Sequence, residues 1–289
     1  MLISLYIFLW KKQRVYDIIL EIGLSTKGGN RMICVENLTK IYKLSQQQMK
    51  KEKTKEATKV AVSEVSLTAN KGEIYGLLGP NGAGKTTTLR CIATLLSPTS
   101  GKVTVGGCDT VREPKEVRAK IGFLTNEIKL DPNFTPSYMF DFFGKLHKMD
   151  EEEISKRKEY LFDYFGITSF KDKKIEELST GMKQKAAIAV CLVHNPEIVI
   201  FDEPTSGLDI LTARQVTEYL KVLRDEGKLV VISTHIMSEA EKLCDRVGII
   251  IDGKMVCEST LSEIFERYGC DNLEDAFFEM YKINHKEEA

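Results

Sequence analysis

The amino-acid sequence predicts an α/β fold with a largely parallel β-sheet. From residue 32 onwards, short runs of β-branched and other apolar residues alternate with longer amphipathic stretches. Several of the short runs are apolar throughout, as expected for strands that are covered on both faces. The segment 138–165 has no strand pattern and is rich in Lys, Glu, Phe and Tyr. It therefore predicts a mostly helical subdomain inserted into the α/β core.

Each element can be assigned from its own pattern. The predicted strands are residues 33–35, 73–78, 102–105, 121–124, 197–201, 229–233 and 246–251. A helix is predicted from Lys85, and Thr260 with Glu263 has capping-box spacing before a helical C-terminus. Residues 46–59 have no apolar periodicity and many Lys and Gln residues, which predicts a solvated loop. The alternative for this basic loop is a contact with acidic lipid headgroups.

The composition excludes several classes of protein. The chain has 289 residues, of which 41 are basic and 42 acidic, so its formal net charge is −1. This is ordinary globular composition, and it argues against a general nucleic-acid binder, which needs a marked excess of Lys and Arg. The seven cysteines are scattered without zinc spacing, which favours a reducing compartment. No apolar stretch reaches the roughly 18 to 20 residues that a membrane span needs, so any membrane association would require a partner.

The first 31 residues have a different character from the rest. Residues 1–10 are nearly all apolar and precede Lys11, Lys12 and Arg14, which is the wrong order for a signal peptide. The segment could be an interfacial anchor. Our preferred interpretation is a translated leader, since Lys27-Gly28-Gly29 matches a purine-rich tract a few codons before Met32. We therefore expect an N-terminal extension over 1–31 and one domain over 32–289.

A glycine-rich loop with a lysine follows the predicted strand 73–78. It has the form G-x-x-x-x-G-K-[ST] and consists of Gly79, Pro80, Asn81, Gly82, Ala83, Gly84, Lys85 and Thr86. Glycines allow consecutive backbone N–H groups to turn inward around phosphate oxygens, and the following helix N-terminus adds partial positive charge. Lys85 would hold the β- and γ-phosphates, Thr86 would offer its hydroxyl to Mg²⁺, and Thr87 extends the row of N–H groups. The pattern predicts a nucleotide-phosphate site.

Two adjacent carboxylates end the apolar strand 197–201. A buried parallel strand would deliver Asp202 to the carboxyl edge of the sheet, where ligands bind in such folds, and a carboxylate there can hold Mg²⁺. Glu203 beside it suits a general base that polarises a water molecule toward the γ-phosphate. Together with the glycine-rich loop, the pair predicts nucleotide hydrolysis.

Further motifs resemble those of the ABC ATPase family. The run Leu178-Ser179-Thr180-Gly181 opens an apolar-periodic helix and is similar to the family's signature L-S-G-G-Q. Tyr42 falls at the place of the adenine-stacking aromatic, residues 206–209 (Ser-Gly-Leu-Asp) resemble the D-loop, and His235 follows a strand like the switch histidine that contacts the γ-phosphate. The matches stand in the family's order along almost all of 32–289.

This resemblance implies a P-loop ABC-type nucleotide-binding domain with a mostly parallel core sheet, an antiparallel β subdomain, a helical subdomain near 127–190 and a helical tail near 259–289. It also implies a head-to-tail dimer, a homodimer in the simplest case, that sandwiches two ATP molecules. In it the phosphate loop of one subunit faces Ser179 and Gly181 of the other, with Asp209 nearby. Both the loop and the signature helix N-terminus can reach one γ-phosphate only if they come from different subunits.

The chain departs from the family pattern at two places. Thr180 replaces the first signature glycine and Met182 the glutamine, although Ser179 and Gly181 remain. Asn126 stands where the family usually has a glutamine that contacts Mg²⁺ and the attacking water. Asparagine is one methylene shorter, so the sequence predicts slow basal ATP turnover.

The runs 121–140 and 178–185 resemble the ATP-binding subunit of two-component sodium-extruding exporters, and residues 272–277 resemble the tail of a wider group that includes drug and antibiotic exporters. The resemblance implies a separate transmembrane permease, docked near 126–136, that holds the protein at the cytoplasmic face of the cell membrane. Alternatives are a drug or lipid exporter and a regulatory ATP-binding module with little turnover. A small-molecule phosphotransferase would not need the signature, Asp209 and His235 together, and a nucleic-acid-associated relative would need paired domains, coiled-coil heptads or zinc cysteines.

Overall fold

The apolar runs of the sequence form two sheets in a computed structural model that describes residues 30–52, 55–125 and 130–286. The described residues from Met32 onwards belong to one compact unit. The strands are β1 (Arg31–Lys43), β2 (Thr58–Asn70), β3 (Ile74–Leu78), β4 (Ser100–Val105), β5 (Cys108–Asp109), β6 (Ile121–Thr125), β7 (Ile198–Asp202), β8 (Leu229–Thr234), β9 (Arg246–Ile251) and β10 (Lys254–Thr260). The α-helices are α1 (Gln46–Glu52), α2 (Lys85–Ile92), α3 (Pro114–Lys120), α4 (Pro136–Leu146), α5 (Glu151–Phe165), α6 (Thr180–Cys191), α7 (Ile210–Asp225), α8 (Met237–Leu243), α9 (Leu261–Tyr268) and α10 (Leu273–Lys286).

The larger sheet has six strands in the order β10-β9-β3-β8-β7-β6. Its neighbours are parallel except for β10, which pairs with β9 in the antiparallel sense. Every residue of β3, β7 and β8 is buried, which explains why these segments are apolar, except at the carboxyl ends of β7 and β8, instead of alternating. The predicted α/β class with a mostly parallel sheet is confirmed.

The smaller sheet has four strands in the order β2-β1-β4-β5, and β4 is antiparallel to both β1 and β5. The chain passes from the smaller sheet to the larger one at the short turn between β2 and β3. Strand β2 was not predicted, and its sequence shows why. Glu64 has a left-handed φ of 54°, so Val62 and Val65 are both buried although they lie three residues apart. This irregularity hides the alternation by which strands are identified.

The helical subdomain contains α4, α5 and α6. Helix α4 begins with Thr135 as its N-cap, and α5 begins with a capping box formed by Asp150 and Glu153. Phe140 and Phe162 pack edge to face with ring centroids 5.3 Å apart and join the two helices. The prediction of a helical insertion over 138–165 is confirmed.

The prediction of a loop over 46–59 is wrong at both ends. Residues 46–52 form α1, which is built from Gln, Met, Lys and Glu, residues of high helix propensity. Strand β2 begins at Thr58. The connection is closed by a backbone hydrogen bond of 2.8 Å from the Leu44 N–H to the Ala57 carbonyl oxygen. The predicted extension at 1–31 lies almost entirely outside the described residues.

Candidate functional site

The parallel register brings the ends of four strands to one edge of the larger sheet. Leu78 at the end of β3 is level with Thr234 at the end of β8, and Asp202 at the end of β7 is level with Ser233. Thr125 at the end of β6 is level with Asp202. The loops that follow these strands therefore meet at the carboxyl edge of the sheet, which is the ligand-binding edge of such folds.

The glycine-rich loop between β3 and α2 needs two of its glycines for steric reasons. Gly79 has a φ of 152° and Gly84 a φ of 105°. A Cβ on Gly79 would lie 2.1 Å from the carbonyl oxygen of Ile250, and one on Gly84 would lie 2.6 Å from that of Ala61. The backbone of the loop is thus packed directly against the backbones of β9 and β2, and no side chain fits between them.

Lys85 is folded into this loop. Its Nζ donates hydrogen bonds to the carbonyl oxygens of Gly79 at 2.7 Å and Pro80 at 3.0 Å, and the residue is only 5% exposed. Burial lowers the pKa of Lys85 from its ordinary value, and the charges of Glu203 and Asp202 act in the opposite direction. An ammonium group in this position can hold an anion that enters the loop.

A cleft of about 620 Å³ opens beside the loop. Its walls include residues 81–87, Glu203, a segment of β2 and the turn between β9 and β10. Tyr42, at the end of β1, also lines it, with its hydroxyl 3.4 Å from Oγ1 of Thr87. The cleft joins the phosphate loop to an aromatic side chain, an arrangement that suits a ligand with phosphates at one end and a planar ring at the other.

Ser233 contacts both acidic residues, Asp202 through its carboxylate and Glu203 through its backbone. Its hydroxyl donates to Oδ1 of Asp202 and also accepts a hydrogen bond of 3.1 Å from the backbone N–H of Glu203. Glu203 has a left-handed φ of 53°, a conformation that costs about 1–2 kcal/mol for a residue with a Cβ. A second hydrogen bond, from the same N–H to the carbonyl oxygen of Ser233, holds this conformation. The strained turn directs the strand end out of the sheet at the cleft.

Glu203 also contacts His235, which follows β8. Oε1 of Glu203 lies 2.9 Å from Nδ1 of His235. Since the carboxylate can only accept, the imidazole carries a proton on Nδ1 and donates it in this contact. The sequence named both residues, but their pairing comes from the register of β7 beside β8.

Ser179, Gly181 and Asp209 lie together away from the cleft. Ser179 caps α6 by accepting a hydrogen bond of 3.3 Å from the Met182 N–H. Asp209 caps α7 by accepting bonds of 3.0 Å from the N–H groups of Leu211 and Thr212, and these bonds lower its pKa. A Cβ on Gly181 would lie 3.5 Å from Oδ2 of Asp209. The signature segment and the D-loop-like segment are thus neighbours.

Asn126 lies outside the described residues, directly after the end of β6 at Thr125. Within the described ranges, no helix is long and apolar enough to cross a membrane. In the same ranges, no group of three or more His, Cys, Asp and Glu side chains is arranged to hold a metal ion.

The edge of the sheet has the composition of a nucleotide site, and the fold is that of a P-loop ATPase with a helical insertion and an antiparallel β subdomain. The family model described as "ABC transporter" matches residues 62–206, half of the chain. The chain belongs to the ABC transporter family of ATP-binding proteins, and it is an ABC-type ATPase.

Individual relatives agree with this assignment. The chain is 42% identical to the ABC transporter ATP-binding protein NatA of Bacillus subtilis over 218 residues, 75% of this chain and 89% of NatA. It is 39% identical to the linearmycin resistance ATP-binding protein LnrL of the same organism, over 84% of this chain and 73% of LnrL. A solved dimeric structure of the ATP-binding cassette MJ0796, in a post-hydrolysis state bound to ADP and Pi, matches with a TM-score of 0.69 and 30% identity, over 80% of this chain and 99% of MJ0796.

Sequence reasoning missed two parts of the site. No pattern in the sequence singles out Ser233, because its position level with Asp202 depends on the register of β7 beside β8. The turn at Asp252 and Gly253 was not considered, although both residues line the cleft. Nothing local in the sequence links this turn to the glycine-rich loop.

Proposed function

We propose that this protein is the ATP-hydrolysing subunit of an ABC exporter that moves Na⁺ out of the cell. The observation that carries the hydrolytic part is the convergence of Lys85, Asp202, Glu203 and His235 at one sheet edge beside the cleft. ATP would occupy the cleft with its adenine against Tyr42 and its phosphates in the loop of residues 79–86. The Lys85 ammonium and the inward-facing N–H groups, with Thr87 at their end, would hold the β- and γ-phosphates.

Mg²⁺ fits the oxygen donors at this edge. Asp202 ends a buried strand and its carboxylate is oriented by Ser233, while Thr86 lies in the first turn of the helix that follows the loop. Mg²⁺ prefers hard oxygen ligands and is usually bound by one or two protein groups together with phosphate oxygens and water. Thr86 and Asp202 would hold the ion, with Asn126 as a further ligand, and the ion would supply charge neutralisation on the phosphates.

Glu203 would act as the general base. A carboxylate that accepts the proton of an attacking water needs a fixed position near the γ-phosphate. The two hydrogen bonds that its backbone N–H donates to Ser233 fix the backbone, and the contact with Nδ1 of His235 fixes the carboxylate. His235 would also contact the γ-phosphate. Because the base and the histidine touch, loss of either would disturb the other.

The second half of each ATP site would come from a second copy of the chain. Ile210 and Leu211, next to Asp209, are 84% and 77% exposed, an unusual degree of exposure for large apolar residues at a helix start. A partner that brings Ser179 and Gly181 against the bound nucleotide would cover them. The relative MJ0796 is a dimer with bound ADP and Pi, which supports this arrangement.

The permease would bind on the helical side of the site. A groove of about 460 Å³ lies between the larger sheet and the helical subdomain, and its lining includes Phe123, Leu130, Phe143 and Leu146. Leu124 and Leu130, on either side of the segment that carries Asn126, both line this groove, so a partner there would sense the nucleotide through that segment. This contact would place the protein at the cytoplasmic face of the membrane.

Sodium is proposed because of the resemblance of residues 121–140 and 178–185 to subunits of sodium exporters, and the similarity to NatA supports it. A drug or antibiotic exporter is the second candidate, favoured by the similarity to LnrL. The test is ATP turnover of the chain with its permease in proteoliposomes, with and without Na⁺ on each side. Sodium-stimulated turnover that disappears in Glu203→Gln supports the proposal. Turnover that is indifferent to Na⁺ moves the cargo to the second candidate, and no turnover of the complex contradicts the hydrolytic role.

A further inference from the structure

The C-terminal helix α10 contacts the neighbourhood of the nucleotide site at both of its ends. Leu273, Ala276 and Met280 recur along one face of α10 and are buried in the larger hydrophobic core. This spacing anchors the helix firmly, because a face with apolar residues at i, i+3 and i+7 packs as one stripe. Both ends of the anchored helix then make polar contacts with elements of the site.

At its beginning, α10 is joined to α8. The backbone N–H of Leu273 donates a hydrogen bond of 3.1 Å to Oε2 of Glu241. Helix α8 starts at Met237, two residues after His235. The first turn of α10 is therefore attached to the element that follows the histidine of the site.

At its end, α10 presents His285 to the turn between β9 and β10. Nε2 of His285 lies 3.3 Å from Oδ2 of Asp252, and Nδ1 lies 2.9 Å from the carbonyl oxygen of Tyr281. The ring also stacks on Tyr281 with centroids 4.0 Å apart. Both ring nitrogens of His285 thus lie close to oxygen atoms, Nδ1 to a backbone carbonyl and Nε2 to a carboxylate. This geometry places the Nε2 edge of the ring against Asp252.

The turn that carries Asp252 supports the phosphate loop directly. The N–H of Gly253 donates a hydrogen bond of 3.1 Å to the carbonyl oxygen of Ala83, and the Gly253 carbonyl accepts one of 2.8 Å from the N–H of Ser63. Asp252 itself has a left-handed φ of 47° and lines the cleft. A contact that holds Asp252 in this conformation also holds Gly253 against the loop.

We propose that His285 and Asp252 are positioning residues for ATP: the C-terminal helix fixes the β9–β10 turn, and the turn fixes the phosphate loop around the nucleotide. The inference rests on the proposed place of ATP in the cleft. It assigns the tail of the chain a role in nucleotide affinity, separate from catalysis by Glu203. Loss of the contact would loosen the loop before ATP binds and leave the chemical step intact.

The test is the steady-state KM and kcat for ATP of the full chain and its variants. We expect His285→Ala and Asp252→Asn each to raise KM by about threefold, the scale of a partly exposed ion pair, with kcat unchanged. The double variant should behave like either single variant, because both remove the same contact. His285→Arg places a hydrogen-bond donor opposite Asp252 and should restore the wild-type KM.

Lys282→Ala is the matched control. Lys282 is paired with Glu279 on the exposed side of the same helix, with Nζ 2.8 Å from Oε1. If His285→Ala leaves KM at the wild-type value, or lowers kcat instead, or if Lys282→Ala raises KM equally, the proposal is overturned. Lys85→Ala distinguishes a failure of the proposed ATP site from a failure of the proposed role of the C-terminal helix. ATP binding unaffected in Lys85→Ala refutes the proposed place of ATP, whereas impaired binding there with an unaltered His285→Ala refutes only the role of the tail.

Discussion

The nucleotide cleft differs from the surface formed by Ser179, Gly181, Asp209, Ile210 and Leu211, here called the signature surface, in how complete it is within one chain. In the cleft, Lys85, Asp202, Glu203 and His235 all have hydrogen-bond partners from neighbouring elements. On the signature surface, the caps of α6 and α7 are formed, but the apolar residues beside Asp209 face solvent.

The two regions are therefore organised by different contacts. The cleft is organised by the register of parallel strands, which one chain supplies alone. The signature surface has a fixed backbone, but the described residues place no ligand groups opposite it, so its proposed function would depend on a second copy. Substitutions in the cleft should therefore act on the isolated chain, and those on the signature surface should act only when two chains meet.

The largest effect is expected at Glu203. Glu203→Gln removes the proposed general base but keeps the shape and the contact to His235, so ATP turnover should fall by about 10²–10⁴-fold while ATP binding persists. Phosphate release and nucleotide binding measured on the same preparation check this. Glu266→Gln, at an exposed position of α9, is the control and should leave turnover unchanged. Turnover of Glu203→Gln at the wild-type rate would show that the cleft does not carry the chemistry as described.

The next effect compares two glycines, one from each region. Gly79 and Gly207 both have positive φ, 152° and 73°, but a Cβ on Gly207 meets no atom within 4 Å. Gly207→Ala should therefore cost only about 1 kcal/mol of unfolding free energy from backbone strain. Gly79→Ala adds a clash with the Ile250 carbonyl oxygen and should cost about 3 kcal/mol and abolish ATP binding. Urea unfolding and ATP titration of both variants check the difference, and equal losses would contradict it.

A smaller effect is expected from Ile210→Asp on the signature surface. The side chain is 84% exposed, so the stability of the isolated chain should not change. Dimer formation with ATP should weaken by at least about tenfold, because a charge would be buried without a partner. Light scattering of the Glu203→Gln protein with ATP, with and without Ile210→Asp, measures this. Val111→Asp, at another exposed apolar residue, is the control. An equal loss of dimer formation in both variants would show that the signature surface is not the dimer interface.

The smallest effect is expected from Asn126→Gln. The longer amide should position water or Mg²⁺ better and raise ATP turnover, by no more than about tenfold. Asn133→Gln is the matched control, since Asn133 contacts Asp131 in the segment that follows. An unchanged rate in Asn126→Gln would mean that the shorter side chain does not limit turnover.

Local patterns sufficed for much of the fold. The buried strands β3, β7 and β8 were identified because a strand covered on both faces is apolar along nearly its whole length. Helix α1 and strand β2 were not, because a seven-residue basic helix has no apolar stripe and the left-handed Glu64 breaks the alternation of β2. The chemistry-bearing residues could be named from their motifs, but Ser233 and Asp252 could not, since their partners lie on other elements.

The amino-acid sequence was enough to predict the class of fold, the glycine-rich loop and membership of a family of ATPases, because each is marked by residues close together in the chain. Which of these residues touch depends on the packing of the whole domain. The contact of Glu203 with His235 depends on two parallel strands in register, and that of Asp252 with His285 depends on where a C-terminal helix ends after packing on the core. Such contacts join segments about 30 residues apart, and no local pattern encodes the register between them.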